Sequence, residues 1–447
     1  MKNSNIYNAY CFVIPILIIG LSLGYTSFLL SLVALLPLLF LVDRHSVGFF
    51  LLMYGGPLGG VIREMYPSVP IYGLILQVIG IFLMWDLVID LIQKNARAIW
   101  GVIGVLLLFG FFYFIGPKDE FANNKYMVMI IHGTLMVLGY YAFNRSSKIN
   151  VEGLCQILFV STICMFAFCI DKYKIIPGGI ADYNWFRTQC LQHYGKYATG
   201  EPMLISYQPI GMMALFAVAI YLSQVKMNLG KALFYTMCAF QLTMVSGARQ
   251  AIFGVFVVIA LRLVVFRAAN IDNKHLFKKL LLSSIGLVVV FAVMFLYMSR
   301  LSSDVVVDTV SEGDDGRQLL YLEALAIFRN SPILGAGIGG FNAITDDGWP
   351  HNFILELLCE TGMVGTGLFV LIVAYSLYKR KAGLMHITST GQFYFLFLAA
   401  LFVRVMVSSD LSESIELFSA VFALSSSQLL VNKRKKIRAT YNEILAH

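Results

Sequence analysis

Charge is what this sequence has least of. Asp, Glu, Lys and Arg make up only 13% of its 447 residues, against roughly 25% in soluble domains. A chain so poor in charge cannot cover an ordinary globular core, which excludes a soluble enzyme. Cysteines number 7; they lie mostly inside apolar runs, with Cys190 alone in a long loop. That pattern excludes a disulfide framework and a metal-type Cys pair. Internal repeats, low-complexity stretches and an appended soluble domain are also missing.

What remains is apolar. Hydrophobic residues reach 59% and the mean hydropathy is +0.77. Runs such as "LLLSSIGLVVVFAVMFLYM" (280–298) and "FILELLCETGMVGTGLFVLIVAYSLY" (353–378) match the ~20 residues that cross a hydrocarbon core of about 30 Å. The expected fold is an all-α polytopic membrane protein with 12–14 transmembrane helices in a single integral membrane domain, 1–447. The fourteen candidate spans are 9–23, 26–42, 46–62, 71–93, 98–115, 127–143, 151–170, 206–223, 232–247, 251–266, 280–298, 353–378, 392–407 and 416–431. "GGPLGG" (55–60) is expected to break the third, which then could be re-entrant. The stretch "YCFVIPILIIGLSLG" lacks a small-residue cleavage site and reads as the first span rather than a signal peptide.

The net charge of +8 does not point to nucleic acid, because of where it lies. Basic residues fill every second loop: Arg44; Lys94 and Arg97; Arg145 and Lys148; Lys226 and Lys231; Arg267 to Lys279; Lys379 to Lys381; and the tail from Lys433 to Arg438. By the positive-inside rule these are cytoplasmic. Both termini, including the tail 432–447, are then inside. Two long loops, about 171–205 and 299–352, fall outside. Loops of that length are functional or disordered. The first is rich in Tyr, Trp and Phe, and the second holds a helix-prone run, "RQLLYLEALAIF" (317–328), ended by Asn330, Ser331 and Pro332. Chemistry is therefore expected on the outer side.

Arginines stand out there, since a guanidinium fork stays charged and donates paired hydrogen bonds to diphosphates. Arg249 sits in the tight turn "VSGARQAIF", Arg317 opens the helix of the second loop, and Arg187 lies among the aromatics of the first. Arg404, near the outer end of a span, would face a cavity or pair with Asp410 or Glu413. Arg262 reads as a snorkelling residue. "GAGIGG" (335–340) fits G-x-G-x-x-G but follows no strand of a βαβ unit; it reads as a glycine turn bringing the loop back to the membrane. His351 and Asn352 stand just before span 353–378, where a neutral imidazole could take a proton from a hydroxyl. The other reading of His351 is structural. No His or Cys partner stands at ligand spacing, so no metal is expected. Glu356 and Glu360, one helical turn apart, would line a cavity or pair with arginines.

Taken together, "SGAR", "GRQLLYLEALAIFRNSPILGAGIGGF" and "HNFILELLCETGMVG" resemble, in that order, the bacterial O-antigen ligase and O-antigen polymerase superfamily. The likeness is specific over about 245–370; before that it rests on span count and topology. It implies a fold similar to integral-membrane GT-C glycosyltransferases. The implied donor is a glycan on undecaprenyl diphosphate, at the periplasmic face of the inner membrane, with neither cofactor nor metal. It also implies diphosphate binding by Arg249 and Arg317 and an essential His351, with a looser match at Arg187. Asn352, Glu356 and Arg404 are further candidates. The acceptor would be a second lipid-linked glycan (polymerase, favoured), lipid A-core (ligase) or a protein, and a chain-length regulator would be a partner of a polymerase. A lipid-linked oligosaccharide flippase is the rival from another class, but it calls for charges deep in many spans.

Overall fold

The computed structural model describes residues 2–23, 27–66, 72–145, 149–173, 207–224, 227–268, 315–384, 389–407 and 410–426. Every regular element among them is helical: α1 (Lys2–Ser22), α2 (Phe28–Leu41), α3 (Arg44–Met65), α4 (Tyr72–Leu83), α5 (Trp85–Ile115), α6 (Glu120–Arg145), α7 (Val151–Tyr173), α8 (Tyr207–Leu222), α9 (Leu229–Ser246), α10 (Arg249–Ala268), α11 (Asp315–Asn330), α12 (Gly340–Thr345), α13 (Phe353–Leu384), α14 (Ser389–Val407) and α15 (Leu411–Ser426). The candidate span 280–298, Arg187, residues 174–206 and 299–314, and the tail 432–447 lie outside the described residues.

The protein is an all-α polytopic membrane protein. Four described helices are long and apolar enough to cross a bilayer: Ser4–Leu21, Arg44–Met65, Val151–Tyr173 and Phe353–Ile372; the bent pair α4–α5 would be a fifth. Shorter apolar helices, such as Phe28–Leu41 and Tyr207–Leu222, fill most of the remaining expected positions. At the centre stand α7 and α8. Every side chain from Gly153 to Ile170 and from Ile210 to Leu222 is buried, as expected of helices apolar on all sides. Around them, α1, α2 and α3 pack on α7, and α9, α10 and α14 pack on α8. α15 lies against α6 and α13.

Two expectations are corrected. "GGPLGG" does not break the third span; α3 is continuous from Arg44 to Met65. Its glycines serve close packing instead. A Cβ on Gly59 would stand 2.2 Å from the Gly73 nitrogen, and one on Gly80 would stand 2.7 Å from the Gly48 oxygen. Small residues let spanning backbones approach, and a lipid-facing backbone has nowhere better to bond than its own helix. Nor is there a loop at 94–97. α5 runs unbroken through Lys94 and Arg97, because "IQKNARAI" contains neither glycine nor proline to stop it. The bend falls ten residues earlier, at Met84, where α4 and α5 meet at 72°. Met84 is buried there against Gly48.

Contacts gather the helix ends in two sets. At one end, Arg44 pairs with Asp86 at 3.1 Å, the Asn150 N–H donates to Asp43 at 3.0 Å, and Lys231 pairs with Glu152 at 2.7 Å. These are the basic ends expected inside. At the other, Lys172 donates to the Glu64 carbonyl at 2.9 Å and the Phe28 N–H to Asp171 at 2.8 Å.

Candidate functional site

α13 is not one helix but two. Gly362 has φ 62° and ψ −164°, which interrupts the helix after 353–361. Only glycine adopts that conformation without strain. A break exposes carbonyls of the first half and N–H groups of the second, and inside a membrane each must find a partner. The segment after α11 supplies them. Ala336 and Gly337 donate to the carbonyls of Cys359 (2.8 Å) and Glu360 (2.9 Å). Met363 and Val364 donate to the carbonyls of Pro332 (2.9 Å) and Ile333 (3.1 Å).

The glycine turn makes this fit possible. Gly335, Gly337 and Gly339 have φ of 69°, 83° and 82°. A Cβ on Gly335 would stand 2.5 Å from the Glu360 carbonyl carbon, and one on Gly337 would stand 2.2 Å from Gly116 Cα. The Ile338 N–H then donates to the Phe112 carbonyl near the end of α5, at 3.1 Å. "GAGIGG" thus brings the returning loop onto the ends of α5 and the first half of α13.

A buried ion cluster lies beside it. Lys125 of α6 donates from Nζ to Glu356 and to both carboxylate oxygens of Glu360, at 2.8 and 2.9 Å. All three side chains are buried. Glu360 also accepts the Gly339 N–H at 3.1 Å, so it holds α6, α13 and the glycine turn together. Glu356 Oε2 is buried and accepts no hydrogen bond. The sequence reading offered arginine partners for this pair; the structure supplies a lysine from 231 residues earlier. Further along α6, the Tyr140 hydroxyl donates to Glu416 at 2.6 Å, and Arg404 pairs with the other Glu416 oxygen at 2.6 Å. Glu416 is thus a partner of Arg404 beyond the Asp410 and Glu413 that the sequence suggested.

The remaining candidates are placed by local structure. His351 is half-buried, has a left-handed φ of 52°, and sets its ring edge-on to Trp349 at 5.1 Å between centroids. Positive φ is uncommon outside glycine and concentrates at functional sites. Asn352 caps α13, its Oδ1 accepting from Ile354 (3.1 Å) and Leu355 (3.2 Å). Arg249 is the first residue of α10. Gly247, left-handed at φ 67°, ends α9, and Ser246 Oγ accepts the Ala248 N–H at 3.1 Å. Gly211 of α8 sits beneath this turn, where a Cβ would meet Ala248 and Ser246 at 2.7 Å. Arg317 lies in the first turn of α11, which packs on α13. The helices bearing Arg317, His351, Arg404 and Arg249 form a packed series: α11 on α13, α13 on α14, α14 on α10. Among the described residues no three His, Cys, Asp or Glu side chains group as metal ligands would.

Lys125, Tyr140 and Glu416 escaped the sequence reading. Two acids four residues apart in an apolar run do require a buried cation. Nothing local says which lysine provides it, and Lys125 reads as an ordinary flank of the span after it.

These features define a polytopic helical membrane protein in which a broken helix, a buried ion cluster and a histidine of positive φ follow one another closely along the chain. Residues 234–370 match the family model described as O-Antigen ligase, which supports the likeness to the O-antigen ligase and polymerase superfamily. The match contains Arg249, Arg317, the glycine turn, His351 and the break at Gly362. No curated protein and no solved structure matches the chain.

Proposed function

We propose that the protein is an inverting, metal-independent glycosyltransferase that takes glycan from undecaprenyl diphosphate at the periplasmic face of the inner membrane. Its preferred role is surface-polysaccharide polymerase. The observation that carries this is the matched domain together with His351, held in a left-handed conformation at the head of the broken helix. Support also comes from how few the buried charges are: the Lys125, Glu356 and Glu360 cluster and the Arg404–Glu416 pair are each internally compensated, whereas a flippase would need charges lining a central passage.

The acceptor hydroxyl attacks the anomeric carbon. Its oxygen forms the new glycosidic bond while the bond from that carbon to the lipid diphosphate breaks. The diphosphate leaves with the bonding pair, and the hydroxyl proton passes to His351. A diphosphate is already a good leaving group, so the enzyme's part is positioning and charge stabilisation. Arg249 and Arg317 hold the diphosphate, with Arg187 a further candidate; His351 orients the acceptor. Asn352 sets the start of α13, and Glu356 and Arg404 support the site from within buried ion pairs.

A ligase acting on lipid A-core is the second reading, favoured by the description of the matched family. A reconstituted assay with purified lipid-linked glycan separates the two by acceptor. A polymerase lengthens glycan on its lipid carrier; a ligase gives product only when lipid A-core is added. In the same assay Arg249→Lys keeps the charge but loses the fork, and turnover should fall roughly a hundredfold. Arg317→Ala should behave alike. His351→Ala should abolish transfer while donor binding persists. Full turnover by all three variants would rule out the diphosphate clamp and the role of His351; no transfer by the wild type to either acceptor would end the transferase reading. Loss of donor binding by His351→Ala would move the histidine to the diphosphate site.

A further inference from the structure

We infer that Lys125 is a positioning residue for His351. The inference rests on the transferase reading above for its kinetic consequence, but not for its structural one. Residues 353–361 form a short half-helix cut off at Gly362 from the rest of α13. Such a piece has no long helix to hold it in place, and isolated helices this short are not stable in water. Its position must come from side contacts.

Three tethers provide them. The glycine turn bonds the carbonyl end at Cys359 and Glu360. Phe353 packs edge-on against Phe369 at 5.1 Å and Phe418 at 6.1 Å. Between them, Lys125 grips Glu356 and Glu360, which share one face of the half-helix, one turn apart. The first two tethers fix the ends. The lysine sets how the piece is rotated about its own axis and how far it stands from α6. His351 leads into its first turn through Asn352, whose carbonyl accepts the Glu356 N–H at 2.9 Å. Rotation of the half-helix therefore carries His351 with it. A displacement of about 1 Å at a reacting group costs on the order of a hundredfold in rate.

Removing Lys125 alone leaves two acids buried without a cation, so Lys125→Met is expected to fold poorly. The informative variant is the triple, Lys125→Met with Glu356→Gln and Glu360→Gln. It removes the three paired charges, keeps the side chains close in size and leaves Asp410, whose charge acts on all three, in place. In lipid nanodiscs the triple variant should bind donor as the wild type does and lose about ten- to a hundredfold in kcat, with KM little changed. Its backbone amides at 353–361 should exchange with deuterium faster, while those of the second half of α13 keep the wild-type rate. Unchanged exchange at 353–361 would overturn the inference whatever the protein catalyses. Wild-type kcat would overturn it too. Parallel loss of donor binding, kcat and thermal stability would show a cluster that only holds the fold. Arg249→Ala and the wild type, run alongside, separate the two readings. Normal turnover by Arg249→Ala would overturn the diphosphate site and leave this test standing, whereas no transfer by the wild type would mean that the transferase reading has failed, and the exchange result alone then decides the role of Lys125.

Discussion

α7 and α13 are both long apolar helices, and they meet the membrane in opposite ways. α7 runs unbroken from Val151 to Tyr173, and every residue from Gly153 to Ile170 is buried. Its inward polar groups are few: Gln156 donates to the Tyr235 hydroxyl at 2.7 Å and Thr162 to its own helix at 2.7 Å, while Gln156 Oε1 and Ser161 Oγ are buried without a hydrogen bond. The span Phe353–Ile372 of α13 is less apolar and only 39% buried, and it contains two acids and a break. α7 is held by volume, so its side chains need only fill space. The first half of α13 is held by individual hydrogen bonds and charges, so its atoms must be particular ones. Irregular backbone and buried charge are costly in a bilayer and persist where a site requires them.

The sharpest way to break this contrast is at the hinge of α13. Gly362→Val places a branched side chain where φ is 62° and a Cβ would stand 2.4 Å from the Ile333 oxygen. We expect at least about 3 kcal/mol of destabilisation, seen as loss of folded protein by size-exclusion chromatography in detergent. A folded, active Gly362→Val would mean the break is incidental. A smaller effect is expected at the cap. Asn352→Ala removes the acceptor for the first N–H groups of α13 and should cost about 1 kcal/mol. Amide exchange at 354–355 should speed up while the rest of the protein is unmoved. Least of all should Ile157→Val matter to turnover. Ile157 is fully buried on α7, and losing one methylene there costs about 1 kcal/mol. The melting temperature should drop by a few degrees with turnover per folded molecule unchanged. If Ile157→Val impairs turnover more than Asn352→Ala does, α7 is not the passive partner.

The sequence revealed one side of this contrast far better than the other. Apolar runs mark α7, α8 and the second half of α13 directly, because a span is a property of composition. The helix 317–328 and its stop at Pro332 emerged as α11, since its apolar spacing and terminator are local signals. "GAGIGG" was readable as a turn for the same reason. What escaped was relational. The bend at Met84 comes from α3 and α4 crossing through Gly48 and Gly80, not from any breaker in the chain. The partner of Glu356 and Glu360 lies on α6, and a lone lysine before a span looks like any other interface lysine. The break at Gly362 was present in the letters as Gly-x-x-Gly, but only the carbonyls of Pro332 and Ile333, thirty residues earlier, make a broken helix the better solution there.

The turn that bridges the two halves of α13 also fixes how this stretch of chain can change in length. From Pro332 to Gly339 successive backbone groups are spoken for on two sides, by 359–364 and by Phe112. One residue inserted or deleted there shifts every later group out of step with its partner. A few residues on, Asp346, Asp347 and Gly348 form a bend between α12 and α13, and a Cβ on Gly348 would meet nothing within 4 Å. Chains descended from this one should therefore keep the spacing from Pro332 to Gly339 free of gaps and place their insertions at 346–348. A gap in the first stretch would predict that the paired site is lost even where His351, Arg249 and Arg317 all survive.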